Sequence, residues 1–326
     1  MLTLTPSRTP NDAQRAQIAR KYGMFIHFGI NTFYDTEWSN GKLDVSGYRP
    51  SKIDADSWVK NARDAGMQYV IITAKHHDGF CLWHTEQTDY GVLHSPNPTD
   101  VVACVAKACE KYGIGLGIYY SLWDRHETCY KNDEAYVDYM CRQLTELLDG
   151  RYGKVVEVWF DGGWDKRPKR WNIPKLYDLV HRLQPDCVCS VNQTIGRHWQ
   201  KLHRPRFQPD RQQQGDPMHY FPCDFRLWDP HFTRADDPKL FCHKGQTYYL
   251  PFEATICIRN MTNWFWDSKY TSDPLVPLDF MEEKYRLMTD HDNVLVVNVA
   301  PNTDGVQEEA DIRHLLEFAK RMGLRN

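Results

Sequence analysis

The sequence predicts an α/β protein, folded as a TIM-like (β/α) barrel, on the basis of three observations. Short apolar runs alternate with amphipathic helical segments along nearly the whole chain. Continuous apolar runs are typical of parallel strands that are buried on both faces of a sheet. No GxGxxG motif follows the first apolar run, so nothing supports the alternative, a doubly wound dinucleotide-binding sheet.

The strands are predicted as short apolar runs, many of them rich in valine, isoleucine and tyrosine. In chain order they are Met24–Ile30, Tyr69–Lys75, Gly115–Ser121, Val155–Phe160, Cys187–Val191, Tyr249–Ile258 and Asn293–Ala300. The helices are predicted where apolar residues recur at the spacing of one helix face. They are Ala55–Ala65, Asp100–Tyr112, Asp133–Asp149, Ile173–Leu183, Pro277–Thr289 and Val306–Arg321. Asp100 and Asn132 are typical N-caps, and Gly66 and Gly113 are typical C-terminal stops.

One interval, residues 196–248, breaks this alternation. It is rich in proline, histidine, arginine and aspartate, and it contains typical turn sequences at 208–210 and 215–217. A long irregular segment inside a barrel is more often a functional loop than a linker. We therefore predict one domain, residues 1–326, with a long irregular loop insert at about 196–248.

The composition excludes several classes of partner. The 326 residues are 41% hydrophobic and 25% charged, and the formal net charge is -3. No long basic run is present, so we expect no nucleic-acid partner. No apolar run approaches the ~18 residues of a membrane span, and the polar N-terminus has no apolar core of a signal peptide. We expect a cytoplasmic protein, unless an export signal has been trimmed. The ten cysteines include no CxxC pair and are predicted to be free, mostly buried thiols.

The most informative motif is Trp159-Phe160-Asp161-Gly162, which closes an apolar run. A strand that ends in a carboxylate and a glycine pair presents that carboxylate at an open end of the sheet. The neighbouring aromatic rings, with Trp164 just beyond, suit the C–H faces of a sugar. The carboxylate suits nucleophilic attack on an anomeric carbon. Taken alone, the motif fits equally well an aspartate that caps a turn.

Polar residues follow many of the predicted strands, at the end where barrel enzymes gather their catalytic groups. These residues are His27, Lys75, His76, His77, Asp78, Ser121, Asp161, Asn192 and Gln193, and a further predicted strand carries Glu253. Packing alone does not explain polar groups at the same end of so many strands. The pattern therefore favours a site at the mouth of the barrel.

The three histidines in this set raise the alternative of a metal site. His76 and His77 are adjacent, so on a strand they are expected to point to opposite faces, and only one could share a metal with His27. No HxxxH or HExxH pair supports such a site. We therefore expect histidines that bind sugar hydroxyls, with no metal and no organic cofactor. One of the adjacent pair could instead be a core histidine.

These motifs together resemble the α-L-fucosidases of glycoside hydrolase family 29. The resemblance covers residues 21–305 in the order of that family. It is carried by Lys21–Gly29 (KYGMFIHFG), Glu37-Trp38, Ala74–Phe80 (AKHHDGF), Tyr119–Ser121, Trp159–Gly162 and Asn298–Gly305 (NVAPNTDG).

The resemblance implies a retaining, exo-acting hydrolase of terminal α-L-fucosyl linkages, with Asp161 as the nucleophile. It also implies contacts to the fucose ring from His27, Glu37, Trp38, His76, His77 and Tyr120. Tyr120 is taken over Tyr119, although the two point to opposite faces of a strand. We further expect Arg259 to approach the sugar and Trp264 or Trp266 to pack on its methyl group.

The acid/base is the residue whose position the resemblance predicts least well. Many members have a tryptophan-glutamate pair before a strand of small residues, and Phe252-Glu253-Ala254-Thr255-Ile256 is the best match here. We therefore predict Glu253. Asp210, Asp216 and Asp224 in the insert remain rivals.

Family members often carry a C-terminal β-sandwich and a secretion signal. Neither is expected here, so the chain resembles a bare catalytic domain that acts on a fucosylated oligosaccharide or glycoconjugate. Two other functions stay open. One is hydrolysis of a related L-sugar such as an α-L-galactoside, and the other is sugar binding without catalysis on the same scaffold.

Overall fold

The computed structural model describes residues 2–196, 208–259 and 264–324. Its strands are β1 (Tyr22–Ile26), β2 (Tyr69–Lys75), β3 (Gly115–Ser121), β4 (Val155–Asp161), β5 (Val188–Val191), β6 (Arg226–Leu227), β7 (Leu240–His243), β8 (Gln246–Tyr249), β9 (Phe252–Cys257) and β10 (Val294–Asn298). Its α-helices are α1 (Asp12–Arg20), α2 (Ala55–Asp64), α3 (Val101–Tyr112), α4 (Asp133–Leu148), α5 (Ile173–Leu183), α6 (Leu278–Thr289) and α7 (Glu309–Met322).

Eight parallel strands form one sheet in the order β5-β4-β3-β2-β1-β10-β9-β6. The two edges of this sheet meet. The Asp224 amide donates to the Cys189 carbonyl at 2.9 Å, and the Gln193 amide donates to the Leu227 carbonyl at 3.0 Å. These bonds join β6 to β5 and the residues after it. The predicted TIM-like (β/α) barrel is confirmed.

The barrel interior is a packed core and not a channel. Ten buried side chains form its cluster, and they are Phe25, Tyr69, Ile71, Tyr119, Trp159, Val188, Phe225, Leu227, Val294 and Val296. Side chains of a parallel barrel strand alternate between this interior and the outer shell of helices. The outer cluster holds the apolar faces of the helices, so every barrel strand is buried on both sides.

The predicted helix boundaries depend on caps that the structure contains. Asp100 accepts a hydrogen bond from the Ala103 amide at 2.8 Å, and Asn132 accepts one from the Ala135 amide at 3.3 Å. Gly113 ends α3 in the left-handed conformation with φ +68°. A side chain at this position would be strained, which explains the glycine.

The interval 196–248 is less irregular than predicted. Its described part contributes β6, which completes the barrel, and the antiparallel hairpin of β7 and β8. Because β6 spans two residues, it leaves no recognisable periodicity. The predicted strand Tyr249–Ile258 is in fact the last residue of β8 followed by β9. Helix α1 was not predicted, although Asn11 caps it through a reciprocal pair of hydrogen bonds with Gln14.

All ten cysteines are free thiols, as predicted, and they are buried or half-buried. Among the helices described, none combines the length and the apolar character that a membrane crossing requires.

A buried ion pair supports the loops at the mouth of the barrel. The Lys75 ammonium, at the end of β2, lies 2.9 Å from Asp124, and both side chains are almost fully excluded from solvent. Asp124 also accepts hydrogen bonds from the His126 and Glu127 amides, at 3.0 and 2.9 Å. The pair therefore fixes the loop after β3 against the end of β2.

We expect Asp124→Asn to destabilise the protein by about 3–5 kcal/mol, because it leaves the buried Lys75 charge without its partner. The amide keeps the shape of the side chain and can still accept from the two loop amides. Urea unfolding at neutral pH measures the effect. The exposed pair Lys154–Asp186, with side chains 65% and 73% accessible, provides the control. Asp186→Asn should change the free energy of unfolding by less than about 1 kcal/mol, and equal effects of the two substitutions would contradict this account.

Candidate active site

A cavity opens at the C-terminal end of the barrel strands. It contains about 390 Å³ of space between atoms, a volume that includes open solvent at its mouth. Its lining is formed by Phe25, His27, Glu37, Trp38, His76, His77, Tyr119, Trp159, Asp161, Trp164, Asp229, Thr255 and Trp264.

Asp161, the last residue of β4, lies in this cavity and is held by several donors. The Tyr119 hydroxyl donates to Oδ2 at 2.8 Å, and the Asn192 side-chain amide donates to Oδ1 at 3.1 Å. His77 Nε2 lies 3.6 Å from Oδ2. Gly162 follows with φ +70°, and a Cβ there would lie 2.6 Å from the Trp123 Cβ. The glycine after the aspartate is therefore required by both backbone conformation and space.

Burial raises the pKa of Asp161 to about 6, and its hydrogen bonds from Tyr119, Asn192 and the Gly162 amide oppose this rise. The carboxyl group is thus ionised above that pH while remaining largely dry. A carboxylate in this state is poorly solvated and directed at the cavity, which suits a nucleophile.

Three histidines line the cavity, and each is neutral at ordinary pH. Burial lowers the pKa of His27 and of His77 to about 3 and that of His76 well below its usual value. His27 Nδ1 is hydrogen bonded to Asn298 Oδ1 at 2.8 Å, and His77 Nδ1 to Ser121 Oγ at 2.6 Å. With one ring nitrogen engaged, the other nitrogen of each ring is available to a ligand hydroxyl.

His76 and His77 do not point to opposite faces, as the strand alternation had suggested. Strand β2 ends at Lys75, so the alternation no longer applies, and both rings reach the cavity with centroids 4.2 Å apart. Within the described residues, the one group of three side chains close enough to hold a metal is His181, Cys189 and Asp224. That group lies between α5 and β5, outside the cavity lining.

Two further carboxyl groups line the cavity. Burial raises the pKa of Glu37 to about 7. Burial, and then the negative charge of Asp161, raises the pKa of Asp229 to about 7. Sequence reasoning placed Glu37 near the sugar but missed Asp229. The Asp229 carboxyl follows the short strand β6, whose two residues gave no signal.

Aromatic rings form the walls of the cavity. Trp159 and Phe25 belong to the barrel core beneath it, with centroids 5.6 Å apart. Trp38 and Trp164 stand stacked at 6.4 Å, and Trp38 is 44% exposed. Trp264 packs on His27, with centroids 5.2 Å apart. Such a cavity offers apolar faces around a few polar groups, which is typical of sugar sites.

The structure places Tyr119, and not the predicted Tyr120, in the cavity. Tyr120 points to the outer side of the barrel, where its hydroxyl donates to Gln143 Oε1 at 2.7 Å. The Lys75 ammonium donates to the same hydroxyl at 3.1 Å. The choice of Tyr120 is therefore wrong, and the alternation of side chains along β3 is the reason.

Two other predicted contacts lie outside the cavity lining. Arg259 forms a buried ion pair with Asp311 at 2.6 Å, so its charge is already neutralised by α7. The Trp266 indole donates to Glu308 Oε1 at 2.9 Å. Of the two tryptophans predicted to contact the sugar methyl, Trp264 is the one that lines the cavity.

Glu253, the predicted acid/base, lies below the cavity and does not line it. The Tyr69 hydroxyl donates to its Oε2 at 2.7 Å, and the Trp159 indole donates to its Oε1 at 3.1 Å. Thr255, two residues later on the same face of β9, does line the cavity. Glu253 therefore belongs to the layer beneath, where burial raises its pKa to about 7. This placement contradicts its assignment to the barrel mouth.

The three rivals also lie outside the cavity lining. Asp224 accepts hydrogen bonds from the Tyr177 hydroxyl and the Cys189 amide, both at 2.7 Å, on the helix side of β5. Asp216 is buried and accepts from the Gln213 amide at 2.8 Å, and Asp210 is exposed.

Comparisons with known proteins show the family to which the chain belongs. The family profile described as Alpha-L-fucosidase matches residues 5–325. Alpha-L-fucosidase 1 of Arabidopsis thaliana is 36% identical over 310 residues, which cover 91% of this chain and 57% of the relative. A glycoside hydrolase 29 family member from an unknown rumen bacterium is 26% identical, with a TM-score of 0.81 over 98% of this chain and 58% of that chain.

A third relative shares the fold. Alpha-L-fucosidase isoenzyme 1 from Paenibacillus thiaminolyticus is 24% identical, with a TM-score of 0.75 over 95% of this chain and 76% of that chain. The chain spans a little over half the length of the plant relative that it matches. Because the family profile covers almost every residue, the chain belongs to the α-L-fucosidase family, which is glycoside hydrolase family 29.

Proposed function

We propose that this chain hydrolyses terminal α-L-fucosyl linkages and retains the anomeric configuration, with Asp161 as the nucleophile. The observation that carries the proposal is the position of Asp161. Its carboxylate is buried in a small aromatic cavity at the end of β4, with hydrogen bonds from Tyr119 and Asn192 that fix its orientation. The names of the relatives support fucose as the sugar.

The reaction requires two displacements at one carbon. An Asp161 carboxylate oxygen bonds to the anomeric carbon while the bond to the leaving oxygen breaks and that oxygen receives a proton. Water then attacks the same carbon, loses a proton and releases the Asp161 carboxylate. A second carboxyl group must give and later take the proton, and the cavity holds Glu37 and Asp229 as candidates.

Several polar atoms of the lining are buried without a hydrogen-bond partner. They are Glu37 Oε1, His76 Nδ1 and Thr255 Oγ1. Buried polar atoms are normally paired, so such atoms in a cavity indicate where ligand groups bind. The hydroxyls of a bound sugar are groups that could pair with them.

The fucose methyl group needs an apolar surface, and Trp264 beside His27 offers one. The related α-L-galactoside differs by a hydroxyl on that methyl, so a panel of aryl α-L-fucoside and α-L-galactoside separates the two substrates. The rest of the glycan would leave the cavity past the half-exposed Trp38.

Asp161→Asn should leave the fold intact and lower turnover of an aryl α-L-fucoside by several orders of magnitude, because the amide cannot form the ester intermediate. Initial rates and urea unfolding curves test this together. Asp165→Asn is the matched control: Asp165 is exposed, close in sequence, and bonded to Tyr130 outside the cavity. Turnover by Asp161→Asn close to that of Asp165→Asn would defeat the assignment of the nucleophile.

The product should be α-L-fucose before mutarotation, because two inversions restore the configuration of the substrate. Proton NMR at early times distinguishes the anomers. If β-L-fucose appears first, the reaction is a single displacement and Asp161 is not a nucleophile.

Glu253→Gln should retain most of the turnover, since Glu253 lies beneath the cavity and not in it. The effect of this substitution should appear in the pH dependence of the free energy of unfolding. Burial raises the pKa of Glu253 to about 7 and also raises that of its neighbour Glu157, so the folded wild type loses stability as pH rises from about 4.5 through 7.

Glu253→Gln removes one of these two groups, so this loss should be smaller in the variant than in the wild type. Urea unfolding between pH 5 and 8 measures the difference. A loss of turnover as large as that of Asp161→Asn, with the pH dependence of stability unchanged, would return Glu253 to the catalytic site.

A further inference from the structure

We propose that Asp229 is the general acid and base of the reaction and that Asn192 is the residue that positions it beside Asp161. This inference rests on the proposed fucosidase activity. It is carried by one contact set: the side-chain amide of Asn192 donates to Oδ1 of Asp161 at 3.1 Å and also contacts Oδ1 of Asp229.

The shared donor limits how far apart the Oδ1 atoms of Asp161 and Asp229 can lie. Two oxygens that both bond one nitrogen lie no farther apart than about 6 Å, the sum of two hydrogen-bond lengths. Retaining glycosidases separate their two carboxyl groups by roughly 5–5.5 Å, whereas inverting enzymes need roughly 6.5–9.5 Å. An upper limit of about 6 Å between the two bridged oxygens is compatible with the close spacing of a retaining pair.

The surroundings of Asp161 and Asp229 differ, so that Asp229 holds a proton more readily than Asp161. Asp161 has hydrogen bonds from Tyr119, Asn192 and the Gly162 amide, which favour its ionised form. At Asp229, burial and the negative charge of Asp161 favour the protonated form, and they outweigh the opposing hydrogen bonds from Asn192 and from the Asp229 amide. At a pH between the two titrations, Asp161 is a carboxylate and Asp229 a carboxylic acid, as the two roles require.

Glu37 is the competing carboxyl group, and its contacts give it a different role. Its Oε2 accepts from the Phe265 amide at 3.3 Å, on the side of the cavity formed by the loop after β1 and residues 264–265. The charges that act on Glu37 are those of Asp267 and Asp229, and no contact joins it to Asp161 or Asn192 among the described residues. Its unpartnered Oε1 suits a sugar hydroxyl.

The two steps then balance. In the first, the Asp229 proton passes to the glycosidic oxygen as its bond to the anomeric carbon breaks and the Asp161 ester forms. In the second, the Asp229 carboxylate takes a proton from water as the water oxygen bonds to the anomeric carbon and the ester breaks. Asp229 ends protonated and Asp161 ionised, ready for the next turnover.

The test compares two fucosides that differ in leaving group. With Asp229→Ala, kcat/KM for methyl α-L-fucoside, whose leaving group needs a proton, should fall by about 10²–10⁴-fold. The kcat/KM for dinitrophenyl α-L-fucoside should change far less. The kcat of Asp229→Ala for the dinitrophenyl substrate should fall, because no base activates water in the second step. Sodium azide should restore this kcat, with α-L-fucosyl azide as the product.

The pH profile gives an independent readout that a structural role would not move. With methyl α-L-fucoside, the wild type should lose kcat/KM below the pKa of Asp161 and again above that of Asp229. Asp229→Asn, which keeps the shape of the side chain, should lose the alkaline decline in its residual kcat/KM for methyl α-L-fucoside. Its acidic decline should remain in place, because Asp161 ionises while Asp229 is still neutral in the wild type. Asn192→Ala should move the acidic decline to higher pH, since it removes a donor that lowers the pKa of Asp161.

Glu37→Gln is the matched control, with the same change of carboxyl to amide in the same cavity. It should lower kcat/KM for both substrates to a similar degree, and azide should not restore turnover. Urea unfolding verifies that every variant is folded. If Asp229→Ala slows both substrates equally, yields no fucosyl azide, and Asp229→Asn keeps the alkaline decline, Asp229 is not the acid/base. If the wild type cleaves no α-L-fucoside at all, the proposed function itself fails.

Discussion

The site depends on one constraint: several ionisable groups are buried at the barrel mouth with too few opposite charges to neutralise them. Asp161, Asp229 and Glu37 share the cavity with three histidines whose pKa values are lowered by burial. The neutral histidines carry no positive charge that could offset negative carboxylates. Protonation of the carboxyl groups is therefore favoured, because it removes their charge. The pKa values of the carboxyl groups rise as a consequence, and hydrogen bonds decide which of them stays ionised.

Side chains from neighbouring strands determine which carboxyl group stays ionised. Tyr119 comes from β3, Asp161 from β4, Asn192 from the residue after β5 and Asp229 from the loop after β6. Consecutive barrel strands therefore supply the nucleophile, both of its side-chain donors and a second carboxyl group. Because the strands are fixed by the packed core beneath them, the orientation of each group costs little reorganisation during the reaction.

Sequence reasoning succeeded where the signal was local. Asp161 and the histidines follow apolar runs directly, so their place at the barrel mouth could be read from the chain. It failed where the answer depended on how strands stagger around the barrel. Glu253 lies in a segment that was predicted as a strand, but only the barrel geometry shows that Thr255 reaches the cavity and that Glu253 lies in the layer below. Asp229 was missed because β6 is two residues long. Arg259 was expected at the sugar because the sequence does not show that Asp311 on α7 is its ion-pair partner.

The central claim is that Asp161 forms a covalent bond to the sugar. A fluorinated fucosyl fluoride should inactivate the enzyme, and peptide mass mapping should then find the fucosyl adduct on the peptide that contains Asp161. The fluorine slows both steps, and the good leaving group lets the first step proceed, so the ester accumulates. An adduct on Glu37, Asp229 or any other carboxyl group would contradict the account.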